Sequence, residues 1–182
     1  MALVRTRRRH VFGAIIVALA FLVAVPVAIS ATSRAKVRTA TSLESQLLTE
    51  INAVRTEHNL QPLRRSQPLA TAAAVHARAM AVEGFFAHES SDGSVFWKRI
   101  QRYYASGGYK YWSVGENLAW ASPDLDAEQT VAMWMKSAPH RANLLSKNWK
   151  EIGFSAVHAE SASGDYGDQA ATIVTADFGI RR

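Results

Sequence analysis

From Val11 to Ile29 the chain runs nineteen residues without a charged side chain, immediately after the basic segment Arg5–His10. That pairing reads as an export signal, and Ala28-Ile29-Ser30 supplies a small-x-small cleavage site at its end. A helix of this length would reach roughly 28 Å, close to the ~30 Å hydrocarbon core of a bilayer, so an uncleaved membrane anchor is the alternative. Pro26 favours cleavage, because it breaks a helix near the site where a peptidase needs extended chain. Either way the arginines stay inside and everything after residue 30 ends up outside. Arg8-Arg9-His10-Val11-Phe12 is also similar to a twin-arginine signal, but the strongly apolar run that follows favours a plain basic n-region. The expectation is a secreted or extracytoplasmic protein, touching the membrane only through residues 11–29.

Removing this segment changes what the charge means. The 182 residues carry 21 Lys+Arg against 15 Asp+Glu, a formal +6, but four arginines and no acid lie in residues 1–30. The remainder has 17 basic and 15 acidic residues, a net of +2, and gives no reason to expect an acidic partner. There is no cysteine, which excludes both a disulfide framework and a thiol nucleophile. Residues 31–42 are a polar tether with Arg34, Lys36 and Arg38, and residues 43–182 form one domain large enough for a single core.

Within that domain Leu43, Leu47, Leu48, Ile51 and Val54 recur at helical spacing and predict a helix over 42–58. Ser66 before Pro68 starts a second helix over 67–83, closed by Gly84. Further helices are expected over 94–104 and 126–136. The period then changes, and Ile152–His158 and Ala171–Ile180 read as strands. Helices first and strands later predict an α+β sandwich rather than alternating βαβ units.

Most catalytic signatures are missing: no GxSxG, no GxGxxG, no P-loop and no HExxH. What remains is histidines and an acid in unusual settings. His88 lies at the seam between a helix and a polar turn, His140 follows Pro139, and Glu116 sits in Gly115-Glu116-Asn117-Leu118-Ala119. Two imidazoles and a carboxylate suit Zn²⁺ or a similar dication with one coordination position left open. The plain alternative for each is a hydrogen-bonded loop side chain. His76 is expected in the core, His58 and His158 exposed at element ends.

Taken together, the motifs resemble those of the CAP superfamily of cysteine-rich secretory proteins, antigen-5 allergens and pathogenesis-related proteins. They are Leu48–Arg55 with Leu60-Gln61-Pro62-Leu63, Ala74–Ala81, and Phe85-Phe86-Ala87-His88 with Asp92-Gly93. Gly115–Ala119, Trp134 with Ser137–Leu145, Ile152-Gly153 and Asp177-Phe178-Gly179 follow. They span about 47–179 in the family's order, and the likeness is to its cysteine-free bacterial branch. The resemblance implies a three-layer α-β-α sandwich with a cavity holding His88, His140 and Glu116, with zinc on the histidines in some members. Two departures stand out. The second cavity glutamate of plant and animal members is absent, since Trp134-Met135-Lys136 leads to Ser137, and Pro139 directly precedes His140.

Phe96 to Trp120 adds eight aromatics in 25 residues, interleaved with Lys98, Arg99, Arg102 and Lys110. An exported, near-neutral domain does not fit nucleic acid, so the rings that are not core are expected to line a groove for lipid, glycan or peptide. The expected function is binding of a small or lipid-like ligand, or of an envelope or extracellular protein, in a cavity of His88, Glu116, Asn117, Ser137 and His140. The alternative is a metal-dependent, protease-like hydrolase with Zn²⁺ on His88 and His140 and Glu116 as general base. A Ser137–His140 nucleophile pair is disfavoured, because serine at a helix end is normally a cap.

Overall fold

The computed structural model describes residues 36–182. The expected signal or anchor (1–30) and residues 31–35 of the tether lie outside the described residues. Among those described, no helix is long and apolar enough to cross a membrane. Part of the segment expected as tether is structured: Val37–Thr39 forms strand β1, pairing antiparallel with residues 157–159.

Four expected helices are present, as α1 (Thr41–Glu57), α2 (Gln67–Glu83), α3 (Phe96–Tyr103) and α4 (Ala127–Lys136). A short α5 (Ala138–Leu144) follows α4 directly, started by Pro139 in its first turn. Asp126 caps α4 with a full capping box, its side chain accepting from the Gln129 N–H while the Gln129 side chain returns to the Asp126 N–H. The two late strands are longer than expected, β4 (Glu151–Ala162) and β5 (Gln169–Arg181). β2 (Arg64–Arg65) is a two-residue parallel addition to β4.

The longest unforeseen element is a further strand. Trp112–Ala121, within the aromatic-rich stretch, is a ten-residue strand, β3, pairing antiparallel with β5. Strands are therefore not confined to the end of the chain, and the sheet order is β1-β4-β5-β3, with β3 at an edge. Tyr111 and Arg182 exchange both backbone hydrogen bonds. With a period of two, Ser113, Gly115 and Asn117 also bond β5, while Trp112, Val114, Glu116 and Leu118 turn their N–H and C=O groups to the open edge.

The sheet is the middle of three layers. Leu47 and Ile51 of α1, Val131 and Trp134 of α4 and Leu144 of α5 pack with Phe154, Val174 and Phe178 on one face. Ala77 and Met80 of α2 pack with Leu118, Val157 and Ile173 on the other, and Ile100 of α3 joins Leu69 beside them. Gly153 explains how closely α2 lies: a Cβ there would fall 2.0 Å from the Ala70 nitrogen. The expected α+β, α-β-α sandwich is the observed fold.

Candidate functional site

β3 carries the site because its alternating side chains meet different helices on its two sides. Glu116 faces α2 and α3, and its side chain has no exposure. Its Oε1 accepts from His88 Nδ1 at 2.8 Å, and its Oε2 pairs with the Arg99 guanidinium. A buried carboxylate costs several kcal/mol to desolvate unless it is paired, and Arg99 supplies that pairing. The same guanidinium donates to the His88 carbonyl at 3.2 Å and to Ser90 Oγ at 3.1 Å. One side chain therefore ties α3, the loop after α2 and the edge strand together.

His88 keeps 45% of its side chain exposed, and its Nε2 has no hydrogen-bond partner among the described residues. The hydrogen bond to Glu116 outweighs partial burial and raises the imidazole above its ordinary range. Opposite Glu116 in the β3–β5 ladder, on the same face, stands Asp177, wholly buried. Neither of its oxygens has a hydrogen-bond partner among the described residues. Burial first, and then the neighbouring Glu116 charge, hold its carboxyl well above the usual range.

The other side of β3 is built from neutral amides. Asn117 Nδ2 donates to the His140 carbonyl at 3.1 Å, and its Oδ1 accepts from Asn143 Nδ2 at 2.9 Å. Asn143 Nδ2 also reaches the outward carbonyl of Glu116 at 3.1 Å, and Trp134 Nε1 takes that of Leu118 at 2.8 Å. α4 and α5 thus clamp the edge strand through side-chain donors. Gly115 is needed between them, because a Cβ would lie 2.9 Å from the Trp149 ring and 3.1 Å from Asn143 Oδ1. The His140 imidazole is shifted below its ordinary range by burial and then by the charge of His88.

An open cavity of about 460 Å³ straddles this strand edge. His88, His140 and Glu116 line it, Phe96, Pro139 and Trp149 form apolar walls, and Val114 and Gly115 lie at its floor. Three expected site residues, His88, Glu116 and His140, are therefore brought together. Asn117 and Ser137 do not line the cavity. Asn117 positions the His140 backbone, and Ser137 sits between α4 and α5 with its carbonyl accepting the Arg141 N–H. His76 is buried as expected, with Nε2 bonded to the Ala87 carbonyl. His158 is not at an exposed end: it lies within β4 at 13% exposure, with Nδ1 3.1 Å from Thr172 Oγ1 and 3.2 Å from Asp124.

Arg99 and Asp177 belong to the site without having been assigned a role from sequence. An acid inside the otherwise apolar run Ala171–Ile180 was a usable signal for Asp177. Nothing in the spacing of Arg99 distinguished it from its exposed basic neighbours. Both Glu116 oxygens are taken, and among the described residues no three His, Asp or Glu side chains gather into a group able to hold a metal ion.

Comparison with known proteins agrees with this architecture. Residues 48–178 match the family described as CAP, the cysteine-rich secretory protein family. The protein YkwD of Bacillus subtilis is 31% identical over 119 residues, covering 65% of this chain and 44% of its own. The chain spans less than half the length of the curated relatives it matches. Among solved structures, an extracellular protein containing an SCP domain from Bacillus anthracis has 27% identity and a TM-score of 0.59, over 78% of this chain and 41% of that one. An outer surface protein of Borrelia burgdorferi shares the fold at 21% identity and a TM-score of 0.65, over 81% of this chain and 99% of that one.

Proposed function

The chain belongs to the CAP family of cysteine-rich secretory proteins, and on that premise we propose that it is an extracytoplasmic ligand-binding protein whose ligand sits between His88 and His140. The observation that carries this reading is the commitment of Glu116. A general base must reach the proton it removes, whereas both oxygens of this buried carboxylate are held by His88 and Arg99. The cavity therefore offers recognition groups rather than a proton-transfer set. Phe96, Pro139 and Trp149 suit an apolar body, and the two imidazoles suit a polar head. The hydrogen bond to Glu116 shifts His88 up and burial shifts His140 down, so the two imidazoles differ in how readily they hold a proton. A small or lipid-like molecule fits this chemistry, as does part of an extracellular partner.

The test is to extract the purified chain with solvent and identify bound molecules by mass spectrometry. A co-purifying ligand that is lost in both His88→Ala and His140→Ala is the expected result. Absence of any ligand, together with no change in melting temperature on adding lipids, would count against this reading.

A second reading is favoured by one contact, the Glu116 bond to His88 Nδ1, which orients Nε2 toward the cavity in the way a carboxylate orients a metal-binding imidazole. His88 and His140 are the residues that would hold Zn²⁺, which would act there as a Lewis acid toward a hydrolysable bond. Glu116 would then position His88 rather than act as the base. The donor set fits such an ion poorly, since it supplies two imidazoles and no free carboxylate. Elemental analysis after Zn²⁺ loading decides: stoichiometric zinc abolished by His140→Ala supports this reading, and a metal-free chain removes it.

A further inference from the structure

The cavity is built against the edge of a strand, and that edge is unpaired where it meets the cavity. Val114 and Glu116 are edge-facing residues of β3 and both line the cavity. Further along, the edge is already used: Asn143 occupies the Glu116 carbonyl and Trp134 the Leu118 carbonyl. Toward Trp112 there is no such cover among the described residues. Among the described residues the outward N–H and C=O of Val114 make no hydrogen bond to another part of the chain. An open row of backbone donors and acceptors is a template for one more strand.

We propose that the ligand of this cavity is an extended peptide segment, which adds to β3 along Trp112–Glu116. This rests on the reading of the His88/His140 cavity as a binding site and names its ligand class. The spacing carries it. A strand offers its outward groups every second residue, so a peptide exchanges both bonds with Val114 and accepts from the Glu116 N–H, and it stops where Asn143 has taken the next carbonyl. Asn143 therefore fixes the register as well as the helix. Alternate side chains of the peptide then lie on the two sides of the strand. One set points toward His88 and Phe96, on the Glu116 side, and the other toward His140, Pro139 and Trp149, on the Gly115 side. Main-chain bonds give affinity in such additions, and pockets for alternate side chains give selectivity. A peptide uses both halves of the cavity and the backbone between them, whereas a compact ligand leaves the Val114 groups unused.

The experiment selects random heptapeptides displayed on phage against the immobilised chain, and then measures blocked synthetic copies of those enriched. The expected result is enrichment of peptides whose affinity falls at least tenfold on Val114→Pro. That substitution removes the outward N–H and leaves the bonds of Ser113 and Gly115 to β5 in place. The same fall is expected when one alternate set of peptide amides is N-methylated, with little change for the other set, a readout independent of any folding defect in the variant. No enrichment, or affinity unaffected by both changes, overturns the proposal. Peptides that lose affinity on His88→Ala but ignore Val114→Pro and N-methylation overturn strand addition while keeping the cavity as the binding site. Peptides indifferent to both histidines overturn both.

Discussion

The two sides of strand β3 solve the same problem with opposite chemistry. On the Glu116 side, His88 is held through its imidazole by the Glu116 carboxylate, with Arg99 and the buried Asp177 behind it. On the Asn117 side, His140 is held through its backbone carbonyl by an amide, and Asn143 links that amide to the strand. The first arrangement sets the charge of its histidine and must respond to pH. The second fixes position through neutral amides and leaves the His140 imidazole free of a hydrogen-bonded charge. A pair of histidines with opposite leanings follows from one strand with two unlike sides.

The largest test of this contrast is Arg99→Met. It leaves Glu116 buried beside Asp177 without its guanidinium partner, and removing one member of a buried pair costs roughly 3–5 kcal/mol. Denaturant melts near neutral pH should show that loss. Asn143→Ala comes next, at about 1–3 kcal/mol for the bonds lost to Asn117 and to the Glu116 carbonyl. Its loss should be the same at every pH between 5 and 8; a pH-dependent loss would break the proposed division of labour.

Asp177→Asn should go the other way, raising stability at pH 7, because a neutral amide avoids the burial penalty of an ionised carboxyl. The sign follows from linkage. A carboxyl raised in the folded state gives stability that is full below its unfolded value of about 4 and is lost as pH rises toward the folded one. The Asn variant should lack that decline. His88 gives the smallest effect, with the same sign in another window. Its raised imidazole contributes stability that is full below about 6.5 and lost as pH climbs through the folded value. His88→Gln should flatten the melting temperature across that window, whereas His140→Gln should not.

Much of this site was legible before the fold was known. His88, Glu116 and His140 stood in unusual local settings, and the motifs around them gave their order along the chain. Asn117 and Ser137 were neighbours in sequence of true cavity residues, but strand alternation turns Asn117 to the far side of Glu116 and helix geometry places Ser137 at a junction. β3 was hidden because Gly115, Glu116 and Asn117 are poor strand formers, and a strand covered differently on its two sides shows no simple alternation. Arg99 was hidden because a buried arginine and an exposed one look alike until their partners are placed.

The cysteine-free α+β domain and the three residues that meet in the cavity were legible from sequence alone, because hydrophobic period, charge placement and turn chemistry are local properties. Tertiary structure alone decided that Glu116 is spent on Arg99 and His88, that Asp177 stands opposite it, and that an open strand edge forms the cavity floor. Each of these depends on which residues, 17 to 61 positions apart, are brought into register across a sheet or against a helix, and that register is set by the packing of the whole core.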